Sequence, residues 1–339
     1  MRKSFLPPSP LRIHVVVVNY RAANLVVDCL QSLAGERHGG HELRVVVVDN
    51  PGGDDSVAVL QTAVQQRGFT SWCEVVAMPR NGGFAYGVNA GVLPALRGAN
   101  PPDAFLLLNP DTWVRPGAIA ALADFLDSHP EVGMVGSRLE DPDGTVQHSR
   151  FRFPCVANEL DNGLNLGLVS RLLRRHATCP PLVDQAHEID WLSGACMLIR
   201  RSVFEAVGPF DENYFLYFEE LDFAKRAHRL GIRSWYVPQS RVVHLVGRST
   251  GVTVRDRRPA RTPAYWFASR RLYYRKHHGR WYRLWADLAF SSGRAIWQLL
   301  RILRRRPDET PPHFLGDFVR HNFWFPPASG DRGGATAKT

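Results

Sequence analysis

Five carboxylates stand out by their setting: Asp49, Asp111, and the cluster Glu219, Glu220 and Asp222 in YFEELD. Asp49 closes the run VVVVDN at 45–50, and Asp111 closes LLLNPD at 106–111. A third run, VVVVNY at 15–20, ends in Asn19 and Tyr20. Apolar runs of this kind read as buried parallel strands that stop at a sheet edge. Ligands of open α/β sheets sit outside the carboxyl ends of the strands, so Asn19, Asp49 and Asp111 are expected to face one crevice. An isolated aspartate and a later acidic cluster beside such a crevice suit a metal-bound phosphate ester and a general base. Plainer readings compete at each position. Asn19 and Asp49 also suit turns, Pro110 makes a turn that Asp111 would cap, and acids in the first turn of a helix are stabilised by its dipole anywhere.

The elements that must position these groups follow from periodicity. Ala22–Ala34 carries an apolar stripe at helical spacing, strand 43–48 follows, and Asp54 and Asp55 open a second helix to about Gln66. Residues 73–77 read as strand, 80–91 (RNGGFAYGVNAG) as turn-rich, 104–108 as strand, and Pro116–Ser128 as helix. This β-α alternation predicts a doubly wound, mostly parallel α/β sheet. Strands are expected at 132–136, 194–199 and 234–237, and a helix at 218–230 that Gly231 stops. Residues 150–188 show little pattern. Beyond Pro263 two helices are expected, 264–278 and 281–303, rich in Trp, Tyr and Arg. The second suits either packing on the domain or lying along a bilayer, and charge breaks it too often for it to span one.

Composition narrows the class. The 339 residues, 45% hydrophobic, suffice for one large domain with an appendage. The net charge is +10, yet residues 241–306 hold 17 Arg and Lys against Asp256 and Asp287, so the rest of the chain is slightly acidic. Such a segment fits phosphates of lipid headgroups or of a polyprenyl diphosphate, with nucleic acid unlikely. Cysteines 29, 73, 155, 179 and 196 show no paired spacing and are expected to be reduced and buried. No apolar segment precedes the first strand, which points to a cytoplasmic protein, peripheral at the inner face of the plasma membrane if the basic segment binds lipid.

The ordered series VVVNY, VVDNPGGDDS, RNGGFAYGVNAG, LLLNPD, WLSGACMLIRRSVFEAVGPFDENYFLYFEELDFAKRAHRLG and HLVGRSTG resembles the inverting glycosyltransferases of family 2, which have the GT-A fold. It is most similar to the bacterial branch with rhamnosyltransferases of cell-wall and O-antigen assembly. The resemblance implies a lead-in at 1–11, a GT-A domain at 12–251, a basic helical extension at 252–327 and a flexible end at 328–339. It implies a nucleobase contact at Asp49, with Asn19 and Tyr20 bordering the nucleoside, and places Arg80 and Asn81 against the nucleotide. A divalent cation, Mn²⁺ or Mg²⁺, would sit on Asp111 and His244. The first acid of the Asp-x-Asp pattern is here Asn109, which weakens the case for two carboxylate ligands. Arg248, with Ser249 and Thr250, would contact phosphate. Glu220 is the implied base, Glu219 and Asp222 would orient acceptor or fix the helix, and Trp191 and Gly194 lie in the acceptor-side motif. The implied reaction transfers rhamnose from a nucleoside-diphosphate sugar to a saccharide acceptor on a polyprenyl diphosphate. The alternatives are galactofuranose, glucose or N-acetylglucosamine as the sugar, or a non-catalytic membrane- or nucleic-acid-binding module on a transferase scaffold.

Overall fold

The computed structural model describes residues 10–37, 39–246, 260–308 and 310–324. Its centre is a nine-stranded sheet. Strands β1 (Arg12–Asn19), β2 (Glu42–Asp49), β3 (Cys73–Ala77) and β4 (Ala104–Leu108) form its parallel half, in the order β3-β2-β1-β4. Helices α1 (Ala23–Glu36), α2 (Ser56–Gln66) and α3 (Phe84–Arg97) make the crossovers. β4 and the later parts of β1 and β2 (15–18 and 45–48) are apolar because both faces are covered, as parallel sheets require. One apolar cluster lies on the face of α1 and α2, the other on the face of α3.

The second half is mixed. The short β5 (Thr112–Val114) follows β4 at once, and α4 (Ala118–Ser128) leads to β6 (Val132–Glu140). The segment 150–188, unreadable as sequence, contains β7 (Arg150–Phe151), α5 (Val156–Leu164), α6 (Gly167–Leu172) and the start of β8 (His187–Ile189). Then come β9 (Trp191–Leu192), β10 (Cys196–Arg200), α7 (Arg201–Val207), α8 (Glu219–Arg229) and β11 (Arg233–His244). β10 runs antiparallel between β4 and β6, and β11 runs parallel to β6. The strand expected at 234–237 runs on to His244, irregular between Val237 and Arg241. Its end returns to pair His244 with Thr112, which carries His244 to the edge where Asp111 lies.

The extension is α9 (Ala264–Leu303) followed by α10 (Phe314–Val319). Gly279 (φ +83°) breaks α9 between the two expected helices. The first half is no separate domain: Tyr273 and Tyr274 share an apolar cluster with Tyr214 and Leu221. Arg270 is buried between Glu159 (2.8 Å) and Asp287 (2.5 Å), and the Tyr274 hydroxyl donates to Glu159. Of the cysteines, Cys29, Cys73 and Cys196 are buried with thiols pushed up to about 12 by burial; Cys155 is half-buried and Cys179 exposed, against expectation. Among the described residues no helix is long and apolar enough to cross a membrane.

Candidate active site

The strand ends meet as the runs require. Asn19 and Asp49 are register partners on β1 and β2, and the Asn19 amide donates to the Asp49 carboxylate at 2.5 Å. Burial raises the Asp49 pKa and that hydrogen bond lowers it. The Asn19 carbonyl accepts from the Ala22 N–H, so one side chain both caps the turn and aims its neighbour. Tyr20 is exposed beside it. Asn50, which sequence reasoning passed over, donates to the Gly83 carbonyl and so ties β2 to the glycine-rich loop.

That loop is shorter than expected, since α3 begins at Phe84. Gly83 (φ +87°) lies so close to the Phe215 carbonyl that a Cβ would stand 1.9 Å from its oxygen, and the Phe84 N–H donates to the same carbonyl. Gly87 and Gly91 press α3 onto Val18 and Val16 of β1, so their smallness serves helix–sheet packing and not approach to a nucleotide. The Asn81 side chain accepts from the Gly83 N–H, and Arg80 lies over the Tyr86 ring.

At the next edge Asp111 is buried, with the His244 imidazole 3.6 Å from its carboxylate and Asn109 3.5 Å from the same ring nitrogen. The Leu245 N–H donates to the Asp111 carbonyl, which pins the two segments together. Among the described residues no group of three or more His, Cys, Asp and Glu side chains forms a cage. One carboxylate oxygen and one imidazole nitrogen fit an ion that takes its remaining ligands from a diphosphate and water, and the nitrogen favours Mn²⁺ over Mg²⁺. Arg248 lies outside the described residues.

The acidic cluster divides by role. Tyr217 (φ 68°) and Phe218 (φ 72°) both adopt the left-handed conformation just before α8, a strain that bulky residues accept only when their surroundings impose it. Those surroundings come from α9: Tyr265 stacks on Tyr217, Trp266 and Tyr273 pack on Phe218, and Ser269 donates to the Leu216 carbonyl. The turn sends Glu219 and Glu220 into an apolar setting. Burial raises both pKa values, that of Glu219 well above the ordinary range with the Glu220 charge adding to it. Each has one carboxylate oxygen sealed from solvent with no hydrogen-bond partner among the described residues.

Asp222, expected to orient acceptor or fix the helix, sits among donors from both α8 and α9. It is fully buried and accepts from Tyr214, Arg226, Lys276 and His277, at 2.7 Å from each of the last two. Those donors outweigh its burial and hold its pKa far below the usual carboxylate range. It anchors α8 to α9. The Trp191 ring is stacked on Phe151 and its indole N–H donates to the Arg152 carbonyl.

Gly194 is where the parts converge. A Cβ placed there would touch the Phe84 ring at 3.6 Å and the Glu220 carboxylate at 3.8 Å, and the Gly194 backbone donates to Glu220. The neighbouring Ala195 carbonyl accepts from the Asn109 N–H. The turn bearing Asp111, the start of α3 and the acidic turn therefore meet around Gly194 and Ala195. The tail residues that hold the acidic turn were missed in the sequence, since they lie about 50 residues beyond it.

A family model described as "Glycosyltransferase like family 2" matches residues 8–283. The chain is 32% identical over 293 residues to N-acetylglucosaminyl-diphospho-decaprenol L-rhamnosyltransferase of Mycobacterium tuberculosis, covering 81% of this chain and 89% of the relative. It is 23% identical to rhamnosyltransferase WbbL of Escherichia coli K12, over 68% of this chain and 83% of the relative. Among solved structures, mannosyltransferase PcManGT from Pyrobaculum calidifontis, in complex with GDP-Man and Mn²⁺, superposes with TM-score 0.53 at 16% identity, covering 95% of this chain and 91% of the other. GalNAc-T7 with UDP, GalNAc and Mn²⁺ superposes with the same score at 14% identity, over 70% of this chain and 44% of the other. The fold is that of the GT-A transferases, and the chain belongs to glycosyltransferase family 2.

Proposed function

We propose that this protein is an inverting rhamnosyltransferase that moves rhamnose from a nucleoside-diphosphate donor to a saccharide carried on a polyprenyl diphosphate. The observation that carries the sugar and the carrier is the 32% identity, over most of both chains, to a transferase named for both. The carrier would place the reaction at the inner face of the plasma membrane, with the enzyme peripheral to it. Asp49, aligned by Asn19, would accept from a pyrimidine N3–H, and Tyr20 would border the nucleoside. Arg80 and Asn81 would stand along the nucleotide, with Arg248 as a phosphate contact.

Asp111 and His244 would hold the divalent cation, which when bound supplies positive charge to the departing diphosphate. Glu220 would take the proton of the acceptor hydroxyl as that oxygen attacks the anomeric carbon from the face opposite the leaving group, which inverts the configuration. Its raised pKa strengthens it as a base. Gly194 would leave the acceptor room beside it.

The test is transfer from a panel of nucleotide sugars to a short-chain prenyl-diphosphate N-acetylglucosamine, with calorimetry of nucleoside diphosphate binding with and without Mn²⁺. Product from the deoxythymidine-diphosphate rhamnose donor, with an inverted anomeric centre, is expected. Asp111→Asn should remove the Mn²⁺-dependent part of binding, and equal affinity in both proteins would dismiss Asp111 as a ligand. Turnover of another sugar donor in preference would replace the rhamnose assignment.

A further inference from the structure

The second half of α9 has two unlike faces. Ala286, Asp287, Phe290 and Gly293 turn inward and are buried. On the outer side Trp281, Trp285, Leu288, Ile296, Leu299 and Ile302 are exposed, with Trp281 64% and Trp285 63% accessible. Their spacing of three and four residues, or multiples of it, aligns them in one stripe along the helix. An apolar stripe of this length on a water-exposed helix marks a contact surface.

Charge decides what it contacts. Between Arg280 and Arg306 the sole acid is Asp287, which is buried against Arg270. The outer face therefore carries no carboxylate. Its stripe is bounded by exposed Arg280 at one end and exposed Arg304, Arg305 and Arg306 at the other. Arg301 is half-buried and pairs with Asp308, just beyond the helix. A second copy of the chain seated on this stripe would set arginine against arginine with no acid on the face to pair them, the reverse of what helix–helix seams use. A surface of anionic lipid matches both features, since tryptophan sits well at the headgroup level and arginine pairs with phosphate.

We propose that the outer face of residues 280–306 is a membrane-docking surface that lies flat in the headgroup region of an anionic bilayer. This deepens the reading of a lipid-linked acceptor and rests on it. Docking is apolar along the stripe and electrostatic at its ends. The Gly279 break divides the half that braces the catalytic turn from the half that bears the stripe.

The experiment is co-sedimentation of the full chain with phosphatidylcholine vesicles, with and without phosphatidylglycerol, at low and high salt. The wild type should bind the anionic vesicles and be partly released by salt. Replacing both exposed indoles (Trp281→Ser with Trp285→Ser) should weaken binding about tenfold or more. Replacing Arg304, Arg305 and Arg306 with serine should remove the salt-sensitive part. Thermal unfolding and Mn²⁺-dependent nucleotide binding confirm that each variant is folded. No binding by the wild type overturns the proposal. So does unchanged binding by the tryptophan variant, or a wild-type dimer that this variant converts to monomer. Vesicle binding as expected, with no rhamnose transfer to the short-chain acceptor, leaves the docking face standing and removes the sugar assignment.

Discussion

Glu219 and Glu220 are neighbours with different prospects. Burial and the adjacent charge both push Glu219 toward its neutral form, while burial alone leads the rise in Glu220 and the Gly194 N–H opposes it. A protonated Glu219 would let Glu220 ionise first and serve as the base. Glu220→Gln keeps the shape and removes the proton acceptor, so kcat should fall by about 10²-fold or more while donor affinity holds. Near-normal turnover would move attention to Glu219. The pH dependence has a definite sign. The base acts ionised and its pKa is raised, so activity should fall with acidification through a value above the ordinary glutamate pKa of about 4.3. A pH profile of kcat/KM with its acid limb at that ordinary value would exclude Glu220.

At the scale of elements, α8 and α9 work as a pair because of Asp222. Arg226 comes from the same helix, whereas Lys276 and His277 come from the extension. Asp222→Ala would leave these donors facing an empty, buried space, and breaking such a set costs about 3–5 kcal/mol. Urea unfolding should show that loss, and kcat should fall as the strained Tyr217–Phe218 turn relaxes. The folded pKa of Asp222 is depressed, so its stabilisation is present above the ordinary aspartate value and is lost as pH falls toward the lower folded one. The same pair shows what a sequence can reveal. β1, β2 and β4 were legible because a strand buried on both faces must be apolar along its length, and Asn19, Asp49 and Asp111 were legible as the points where that run stops. α5 was not legible. Its segment VANELDNGL is polar because Glu159 is satisfied by Arg270, 111 residues later, and by Tyr274. The setting of Asp222 was not legible for the same reason: its burial depends on partners from a distant helix.

Across the whole molecule, the basic balance of the extension conceals a buried requirement for arginine. Arg270 bridges Glu159 on α5 and Asp287 across the Gly279 break, so one guanidinium joins both halves of α9 to the domain. Arg270→Ala should cost about 3–5 kcal/mol in urea unfolding by taking the guanidinium from two buried acids, leaving Tyr274 on Glu159 and Arg283 on Asp287, whereas Arg280→Ala, on the surface, should stay within about 0.5 kcal/mol of wild type. Equal stability of the two variants would make the buried network dispensable. The His277–Asp222 contact has a further consequence, for synthesis. The two residues are 55 positions apart, and the ribosome delivers the chain from its N-terminus. Every strand of the central sheet has been made while Asp222 still lacks His277 and Lys276, and while the turn before α8 still lacks Tyr265, Trp266, Ser269 and Tyr273. A nascent chain stalled before the extension would hold the sheet and its strand-edge side chains but no braced acidic turn. Catalytic competence would thus be withheld until the first half of α9 has itself been made.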